Sequence, residues 1–471
     1  MSDAWDAIVV GSGPSGVLVA ETLSAAGWST LVVEAGPVPG GPFPDDDTEF
    51  LTKTQPFLAV DEAAWRYQAS RPFEWLRVRA AGGRSLMWGG WCAPPERRCL
   101  EEAREQGAPW PIDFPELQRY VKRVARRLHV RRGRLHPRLA SLRRSLGIEV
   151  HPKVGSTAPK NGRPLYALDL LGRARLRGKS PVLRVARDRS GAAIGVEVAG
   201  KKPGQTRLMR ARVVVLCASP IESARIIHLS DPGGVGAHDG PLGRGLVDHM
   251  VSGILVINDE PASVEHPGPL AHAAWSQQRS RSRTEADGYI IEVRGPTPVA
   301  TYGESWLAAF GVDPRTSERL TSYTVHTMAA AAPNPRRRVS FDRTERDSLG
   351  RPIPFLRLSW SARDRSVARR IDIAARNVAE TLAGPSGRVI RVHDPLEPGG
   401  VGHETGTARM GTREADSVTD GFGEVRGFPR LFVADASVLP TLFDRHPSLT
   451  LLAVSLRIAD QLVARGRRGE I

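Results

Sequence analysis

Two histidines near the C-terminal end of the chain carry side chains suited to proton transfer. His403 lies in a glycine-flanked segment, residues 402–411, and His446 stands directly before Pro447, where the last predicted helix begins. An imidazole has an unperturbed pKa of about 6.5, so it can accept a proton near neutral pH. Two imidazoles and a bound redox cofactor would together suffice to take a proton and a hydride from an alcohol.

The place for such a cofactor lies at the opposite end of the chain. Residues 6–10 predict an apolar strand, residues 17–26 predict a helix, and Gly11, Gly13 and Gly16 between them have Gly-x-Gly-x-x-Gly spacing. The first glycine permits a tight turn, the second lets the backbone approach a pyrophosphate, and the third lets helix and strand pack closely. The helix N-terminus would then face the phosphates with unpaired N–H groups.

An acidic residue after the next strand completes this pattern. Residues 29–33 predict a second strand, and Glu34 follows it, 18 residues after Gly16. A carboxylate at this point accepts hydrogen bonds from ribose hydroxyls and is poorly suited to a 2′-phosphate. The combination predicts a dinucleotide site that includes Ser15 of the turn. It does not distinguish FAD from NAD.

A second glycine-rich segment, residues 82–91, contains four glycines and two tryptophans. Backbone without side chains can lie flat against a ring system and its phosphates. The alternative is a tight turn with buried tryptophans. We interpret this segment as a loop that contacts a cofactor.

Five motifs occur in a fixed order between residues 5 and 465. They are Gly82-Gly83-Arg84-Ser85-x-x-Trp88-Gly89-Gly90, Gly243-Arg244-Gly245-Leu246-Val247-Asp248-His249, His403-x-x-Gly406-Thr407-x-Arg409-Met410-Gly411, Leu431-Phe432-Val433-Ala434-Asp435-Ala436-Ser437-Val438-Leu439-Pro440-Thr441, and His446-Pro447-Ser448-Leu449-Thr450. Together they resemble the glucose-methanol-choline (GMC) oxidoreductases, most closely the bacterial sugar and alcohol dehydrogenase and pyranose oxidase-like branch. The resemblance implies an FAD-dependent enzyme that oxidises CH–OH groups, with hydride passing to flavin N5 and the proton to a histidine.

The resemblance also implies roles for individual residues. His403 is expected to be the main general base, and His446 is expected to hold the same substrate hydroxyl. His249, in the second motif, is expected to be structural, and no metal ligands are expected. The residues expected to bind FAD are Gly11, Gly13, Ser15, Gly16, Glu34, Gly83, Arg84, Ser85, Trp88, Gly89, Gly90, Val182, Ala218, Asp435, Ala436, Pro447, Ser448 and Leu449.

Two further expectations concern how the flavin is held. Some sugar-oxidising family members carry a histidine that bonds covalently to the flavin, and the matching position here is Met87. A thioether is too weak a nucleophile for that linkage, so FAD is expected to be non-covalent. The N-terminus of the last helix, at Pro447 and Ser448, is expected to stabilise negative charge on the reduced flavin.

The predicted fold class is α/β. A Rossmann-like FAD-binding domain would be assembled from residues 1–95, 161–250 and 391–471. Residues 96–160 would form a basic, helical insertion, and residues 251–390 an α+β substrate domain with an antiparallel sheet. Within the latter, residues 338–341 and 355–360 predict a hairpin.

Substrate and electron acceptor are predicted only as classes. The family branch favours a sugar, glycoside, amino sugar or related polyol. The acidic segment Asp45-Asp46-Asp47-Thr48-Glu49 could favour a cationic amino sugar at the entrance, the alternative being a solvated loop. The acceptor could be oxygen, a quinone or a carrier protein.

Composition bears on partners and location. The net charge is +15, yet only seven of the 66 basic residues are lysine. We expect the denser stretches, residues 119–144 and 336–338, to be a solvated helix face and a turn rather than a nucleic-acid surface. No run approaches the roughly 18 apolar residues of a membrane span. The three cysteines lack metal spacing and Met1 leads straight into a strand, so we expect a cytoplasmic protein without a signal peptide.

Two alternative functions remain open from the sequence. One is a flavoprotein of the same fold with non-redox, lyase-type activity. The other is a basic interaction protein with a vestigial nucleotide site.

Overall fold

The computed structural model describes residues 4–39, 66–158, 164–202, 204–237, 239–260, 273–278, 288–302 and 304–471. The acidic segment at residues 45–49 lies outside these ranges.

The described part of the chain contains both strands and helices. The strands are β1 (Ala4–Val10), β2 (Thr30–Val33), β3 (Gln68–Ala69), β4 (Arg131–Arg132), β5 (His151–Pro152), β6 (Val154–Gly155), β7 (Arg175–Arg177), β8 (Val182–Arg187), β9 (Ala193–Ala199), β10 (Thr206–Leu216), β11 (His249–Asn258), β12 (Ala273–Gln278), β13 (Tyr289–Pro298), β14 (Thr321–Ala330), β15 (Arg338–Ser340), β16 (Phe355–Arg357), β17 (Arg388–His393) and β18 (Leu431–Val433). The α-helices are α1 (Pro14–Ala25), α2 (Arg97–Glu105), α3 (Phe114–Arg127), α4 (Pro137–Leu146), α5 (Pro220–Ser230), α6 (Glu304–Ala309), α7 (Ala362–Ala383) and α8 (Ser448–Arg467).

The first sheet joins distant parts of the chain. Its strand order is β7-β2-β1-β10-β9-β8, and β18 pairs with β10. The pairs β1–β2, β1–β10, β2–β7 and β10–β18 are parallel. Parallel strands are covered on both faces and are accordingly apolar throughout, as Ile8, Val9 and Val32 are here. The predicted Rossmann-like domain built from discontinuous segments is confirmed.

The second sheet is antiparallel, which confirms the predicted α+β half of the fold. Its order is β17-β11-β14-β13-β12-β5, and the long helix α7 packs on β11 and β14. Ile254, Val256 and Val325 on the strands pack against Val378 and Leu382 of α7. The two-residue strand β5, which belongs to the predicted helical insertion 96–160, forms one edge of this sheet next to β12.

The predicted hairpin forms, but in a different place from the second sheet. Strands β15 and β16 pair antiparallel, with Val339 opposite Leu356. Strand β16 then pairs in parallel with β3, so the hairpin belongs to a separate three-stranded sheet. Local alternation predicted the pairing, whereas the third strand comes from more than 250 residues away, beyond the reach of a local pattern.

In the first basic stretch, residues 119–144, every Lys and Arg except Arg123 is exposed, as predicted, whereas in the second stretch Arg337 is buried. From helix α3, Arg123 pairs with Asp460 of α8, and Arg457 of α8 lies 2.8 Å from Glu116 of α3. In the second stretch Arg337 is only 1% exposed and donates to the carbonyl of Ala332. The expectation of a solvated turn is therefore wrong at Arg337, whose buried guanidinium group is bonded within the protein, whereas the expectation of a solvated helix face agrees with the exposure of the first stretch.

The last helix returns the C-terminus to the start of the chain. Helix α8 packs on both α1 and α3, and Leu452, Leu456 and Ala459 on its inner face are buried. Ser455 Oγ donates to the carbonyl of Ala434, 2.7 Å away, which ties the helix to the segment after β18. Among the helices described, none is long and apolar enough to cross a membrane.

Candidate active site

A cavity of about 650 Å³ lies between the two sheets. At one end it is bounded by the β1–α1 turn and Glu34. At the other end it is bounded by His403, His446 and side chains of the antiparallel sheet. The two ends of the chain therefore meet around one chamber, as the histidine and glycine motifs require.

The three fingerprint glycines differ in what surrounds them. Gly11 has a φ of +98°, and a Cβ there would lie 2.4 Å from the carbonyl oxygen of Cys217. A Cβ on Gly16 would lie 2.0 Å from the carbonyl oxygen of Gly11, which makes Gly16 a packing residue that does not line the cavity. A Cβ on Gly13 would meet no atom within 4 Å, and Gly13 faces the cavity. Of the three glycines, only Gly13 has room for a side chain in the protein itself.

Glu34 is held in place by the fingerprint turn. One carboxylate oxygen accepts from Ser12 N (3.1 Å) and Ser12 Oγ (2.6 Å), and the other accepts from Gly36 N (2.8 Å). A carboxylate offers about four lone-pair sites, so capacity remains for a ribose hydroxyl. Ser12 was not singled out in the sequence, although its place inside the fingerprint could have indicated it.

The second glycine-rich segment closes over the first. A short 3₁₀ turn, Gly83–Leu86, brings Gly83 so close that a Cβ on it would lie 3.1 Å from Gly13 Cα. Arg84 donates to the carbonyl of Gly402 and lies 2.6 Å from Glu404 Oε2. The arginine thereby ties this loop to the segment that carries His403.

Most of the residues predicted to contact a cofactor line the cavity. Three do not: Gly16 packs within the turn, Gly90 faces the carbonyl of Ser156, and Leu449 is buried in the core. The predicted residues that do line it are Gly11, Gly13, Ser15, Glu34, Gly83, Arg84, Ser85, Trp88, Gly89, Val182, Ala218, Asp435, Ala436, Pro447 and Ser448. Met87 lines it as well.

Asp435 anchors the far wall. Its carboxylate accepts from Ser223 Oγ at 2.5 Å and from Ser437 Oγ at 2.5 Å. Burial raises the pKa of Asp435 despite these hydrogen bonds. These hydrogen bonds fix the turn after β18, and this turn places Asp435 on the cavity wall.

Two helix N-termini open into the cavity without a side-chain cap. Helix α1 has Gly13 at its N-cap and helix α8 has Pro447, and neither receives a capping hydrogen bond from a side chain. Such ends present free N–H groups and a positive partial charge. Gly13 with Ser15, and Pro447 with Ser448, all line the chamber. The chamber thus offers electropositive backbone at two separate places on its wall, each suited to a negatively charged group.

His403 and His446 lie next to each other, edge to face, at one end of the chamber. Their ring centroids are 5.2 Å apart and their planes make an angle of 88°. His446 Nε2 lies 2.7 Å from Glu292 Oε1, and its ring stacks on Trp91 with a centroid distance of 5.7 Å. The two imidazoles are close enough to approach one substrate oxygen together.

His249 stands directly behind His403. The two Nδ1 atoms are 3.0 Å apart, and His249 Nε2 is 2.7 Å from the carbonyl oxygen of Phe443. Asp248 accepts from the backbone N–H groups of both histidines, at 2.8 Å for His249. Sequence reasoning treated His249 as structural, because nothing local shows that it reaches a residue 154 positions away.

Burial keeps these rings uncharged. Desolvation, followed by the nearby His249, His446 and Arg84, holds the pKa of His403 well below its usual range. Desolvation likewise lowers the pKa of His249 to about 4. At neutral pH His403 is therefore neutral and able to accept a proton.

Three charged or polar residues of the antiparallel sheet complete the chamber, and sequence reasoning missed them. Glu292 and Arg294 share one face of β13, and His326 of β14 stands opposite Glu292. Burial alone would raise the pKa of Glu292, but the contact with His446 and the charge of Arg294 outweigh it and lower the pKa. Desolvation and then Arg294 lower the pKa of His326 to about 4. The alternation Ile291-Glu292-Val293-Arg294 could have indicated a polar face.

No cluster suited to a metal appears in the described ranges: no three His, Cys, Asp or Glu side chains come together there as ligands. The three cysteines, Cys92, Cys99 and Cys217, are free thiols and buried. Burial raises the pKa of the Cys92 thiol to about 12, which leaves it protonated.

The fold joins a Rossmann-like sheet to an antiparallel sheet, with a cavity between them, and is that of an oxidoreductase. Two family models described as GMC oxidoreductase match residues 174–251 and 333–455, and a model described as an NAD(P)-binding Rossmann-like domain matches residues 9–58. The chain belongs to the GMC oxidoreductases, and this family together with the Rossmann-like domain implies a flavin cofactor.

Several characterised proteins are similar to this chain. Paromamine 6'-oxidase of Streptomyces fradiae is 27% identical, covering 98% of this chain and 92% of its own length. 2-Methyl-1,2-propanediol dehydrogenase of Mycolicibacterium austroafricanum is 24% identical over 98% of this chain and 96% of its own. C-glycoside 3-oxidase of Arthrobacter globiformis is 26% identical over 58% of this chain and 51% of its own.

A solved structure shares the fold. Pyridoxine 4-oxidase from Mesorbium loti superposes with a TM-score of 0.65 at 22% sequence identity, covering 97% of this chain and 98% of that one. At this identity the likeness concerns the fold alone.

Proposed function

We propose that this chain oxidises an alcohol group on a sugar, glycoside, amino sugar or related polyol, with FAD as its cofactor. The observation that carries the proposal is the pair His403 and His446, 5.2 Å apart between ring centroids, at the end of the chamber opposite the dinucleotide fingerprint. Bound FAD would supply the hydride acceptor.

The chain's own residues would divide the proton work. An alcohol is too weak an acid to ionise unaided at neutral pH, so a base must remove its proton as the C–H bond breaks. His403, kept neutral by burial, takes the hydroxyl proton. His446, held against Glu292 at 2.7 Å, would hold the same hydroxyl group in place.

The substrate class is supported by the similar proteins and by the chamber. Two of the relatives are named for oxidising paromamine and a C-glycoside, both of which are glycosides. Near the histidines the wall combines polar groups, Glu292 and Arg294, with Trp91. Hydrogen-bonding side chains on an otherwise apolar wall suit a molecule that carries several hydroxyl groups.

We propose that the FAD-binding domain comprises residues 1–95, 161–250 and 391–471, and the substrate domain residues 251–390. The strands of each large sheet fall within one proposed domain, except for a few strands near the proposed boundaries. Strand β5 joins the substrate sheet from the insertion 96–160, β11 begins at His249, and β15 and β16 join β3.

The flavin is proposed to be held without a covalent bond. Met87 lines the chamber where some family members place the linking histidine, and a thioether does not form that bond. Acid precipitation of the yellow protein should release all flavin into the supernatant. Flavin that stays with the denatured pellet would contradict non-covalent binding.

An anaerobic spectral screen tests the function. Sugars, amino sugars and primary alcohols are added in turn to the flavin-loaded protein, and at least one class should bleach the flavin. Oxygen or a quinone is then added, and the one that restores the oxidised spectrum identifies the acceptor. A fully loaded protein that no alcohol bleaches would point instead to lyase-type chemistry, and a protein that never retains flavin would point to a vestigial site.

A further inference from the structure

We propose that His249 holds His403 in a single tautomer, with hydrogen on Nδ1 and the lone pair on Nε2, so that Nε2 receives the alcohol proton. His249 does not line the chamber, so it is a positioning residue rather than a catalytic one. The assignment of the tautomer stands on the geometry of the protein alone, and only its use in proton transfer rests on the proposed function.

The first step concerns His249 itself. Its Nε2 lies 2.7 Å from the carbonyl oxygen of Phe443. A carbonyl oxygen can only accept, so the hydrogen of this bond must be on His249 Nε2. The ring is 1% exposed, and burial lowers its pKa to about 4, so it carries one hydrogen at neutral pH. His249 Nδ1 is therefore a bare acceptor.

The second step transfers this constraint to His403. The Nδ1 atoms of the two rings are 3.0 Å apart, within hydrogen-bond distance. One hydrogen must lie between them, and His249 Nδ1 has none to give. The hydrogen is consequently on His403 Nδ1. A neutral imidazole carries a hydrogen on only one nitrogen, which leaves the lone pair on His403 Nε2.

The backbone fixes the two rings relative to one another. Asp248 accepts from the N–H groups of His249 and His403. Two residues from each histidine, Thr405 N donates to the carbonyl of Val247 at 2.9 Å, and Val247 N donates to the carbonyl of Thr405 at 3.2 Å. The start of β11 and the His403 segment are thus joined next to the histidine contact, and the arrangement belongs to the scaffold of the site.

The contact has a chemical consequence during oxidation. The alcohol would give its hydroxyl proton to His403 Nε2, bound flavin would supply the acceptor for the hydride from carbon, and a carbonyl group would remain. The new imidazolium keeps its Nδ1–H bond to His249, and that bond becomes charge-assisted and therefore stronger. His249 retains its own hydrogen on Nε2. It stabilises the cation that forms without exchanging a proton.

Other charged groups around the two rings set the background for this effect. His249 is faced by His446, which opposes a positive charge, and by Asp444 and Glu292, which favour one. His403 is faced by His446 and Arg84, both of which disfavour its protonation. The acceptor His249 Nδ1 offsets this unfavourable electrostatic field at His403 Nδ1, the atom that carries the hydrogen.

Two substitutions separate the contact with His403 from the contact with Phe443. In His249→Asn the side-chain amide oxygen can occupy the Nδ1 position and accept from His403. In His249→Gln the amide reaches the Nε2 position and keeps the bond to Phe443. We expect H249N to retain at least about a third of the wild-type rate constant for anaerobic flavin reduction, and H249Q to lose about 10- to 100-fold, which is less than the roughly 10²- to 10⁴-fold contribution of a general base because His403 itself remains.

The pH profile distinguishes positioning from a loss of structure. Without the acceptor the His403 cation is less stable, so the acidic limb of the flavin-reduction profile should move to lower pH in H249Q and remain near the wild-type position in H249N. Equal losses in the two variants, or a larger loss in H249N, would overturn the proposal. His129→Asn, at an exposed position outside the cavity wall, serves as the control that should match the wild type.

The direct experiment measures the tautomers without turnover. Imidazole ¹⁵N chemical shifts are recorded at pH 7 on the flavin-loaded protein without substrate, and the His403 signals are assigned by their loss in His403→Asn. His403 should show a protonated Nδ1 and an unprotonated Nε2, and His249 the reverse. A protonated Nε2 on His403 would overturn the inference. Because no alcohol is present, this outcome does not depend on whether the protein oxidises one.

Discussion

At the scale of single residues, the carboxylate of Glu292 fixes the orientation of the His446 ring. Glu292 Oε1 lies 2.7 Å from His446 Nε2, and Glu292 is 4% exposed. Trp91 covers the other side of the imidazole, and Lys153 lies over Trp91 and donates to the carbonyl of Gly89 at 2.5 Å. His446 is therefore fixed from two directions, by a carboxylate and by an aromatic face.

Replacing Glu292 by glutamine should weaken this hold while keeping the shape of the side chain. A contact to an ionised group is about twice as strong as a neutral one, so we expect flavin reduction to slow by about tenfold with flavin content unchanged. Stopped-flow absorbance under anaerobic conditions measures the rate. The exposed Glu318→Gln serves as the matched control, and a wild-type rate in E292Q would show that the carboxylate does not support His446.

At the scale of elements, the β1–α1 turn combines two demands on its glycines. Gly16 is needed for the packing of the turn itself, because a Cβ there would meet the carbonyl of Gly11 at 2.0 Å. Gly13 has open space on the chamber side and an ordinary φ of −64°. In this motif Gly11 and Gly16 are therefore required by the fold, and Gly13 only by what binds.

Alanine at these two positions should separate folding from cofactor binding. Gly13→Ala should fold with an unfolding midpoint close to that of the wild-type apoprotein, yet bind flavin at least about tenfold more weakly, because the new methyl occupies the path of the pyrophosphate. Gly16→Ala should lower the unfolding midpoint itself. Far-UV circular dichroism and flavin titration measure the two effects. Full flavin affinity in G13A would contradict this placement of the dinucleotide.

At the scale of the whole molecule, the active site places neutral histidines in the interior. The pKa of His249 and that of His326 are lowered to about 4, mainly by burial, and burial also holds the pKa of His403 well below its usual range. Unfolded histidine titrates at about 6.5. As the pH falls below this value the unfolded chain takes up protons that the folded chain refuses, so stability is fully present above about pH 6.5 and is lost towards pH 4.

The contribution of one such histidine can be isolated. A shift from about 6.5 to about 4 predicts a loss of about 2 kcal/mol in the free energy of unfolding between pH 7 and pH 5. Urea titrations at the two pH values should give a smaller difference for His249→Asn than for the wild type, by roughly this amount. The exposed His129→Asn should reproduce the wild-type difference. An undiminished difference in H249N would mean that His249 is not buried as a neutral ring.

Local patterns in the sequence predicted the parts of the molecule that local physics determines. The glycine spacing at Gly11, Gly13 and Gly16, the apolar strands and the terminal helix each follow from backbone sterics or from periodicity within a few residues. The meeting of His403 and His446 was predicted only through the order of the family's motifs, because their separation in the chain carries no geometric information.

Long-range register explains what the sequence could not predict. Glu292 and His326 face the chamber because β13 and β14 pair in one particular register, and a shift of one residue would turn both away. The role of His249 depends on a contact between β11 and a loop that packs beside it. The hairpin of β15 and β16 was predicted, whereas its partner β3 was not, for the same reason.

The most direct test of the account is the rate of anaerobic flavin reduction in His403→Ala. With an alcohol that bleaches the wild-type flavin, the variant should bind flavin with the wild-type spectrum and reduce it about 10² to 10⁴ times more slowly, the usual contribution of a general base. His129→Asn should react at the wild-type rate. A His403→Ala protein that reduces its flavin as fast as the wild type would contradict the assignment of this chamber as the site of proton removal.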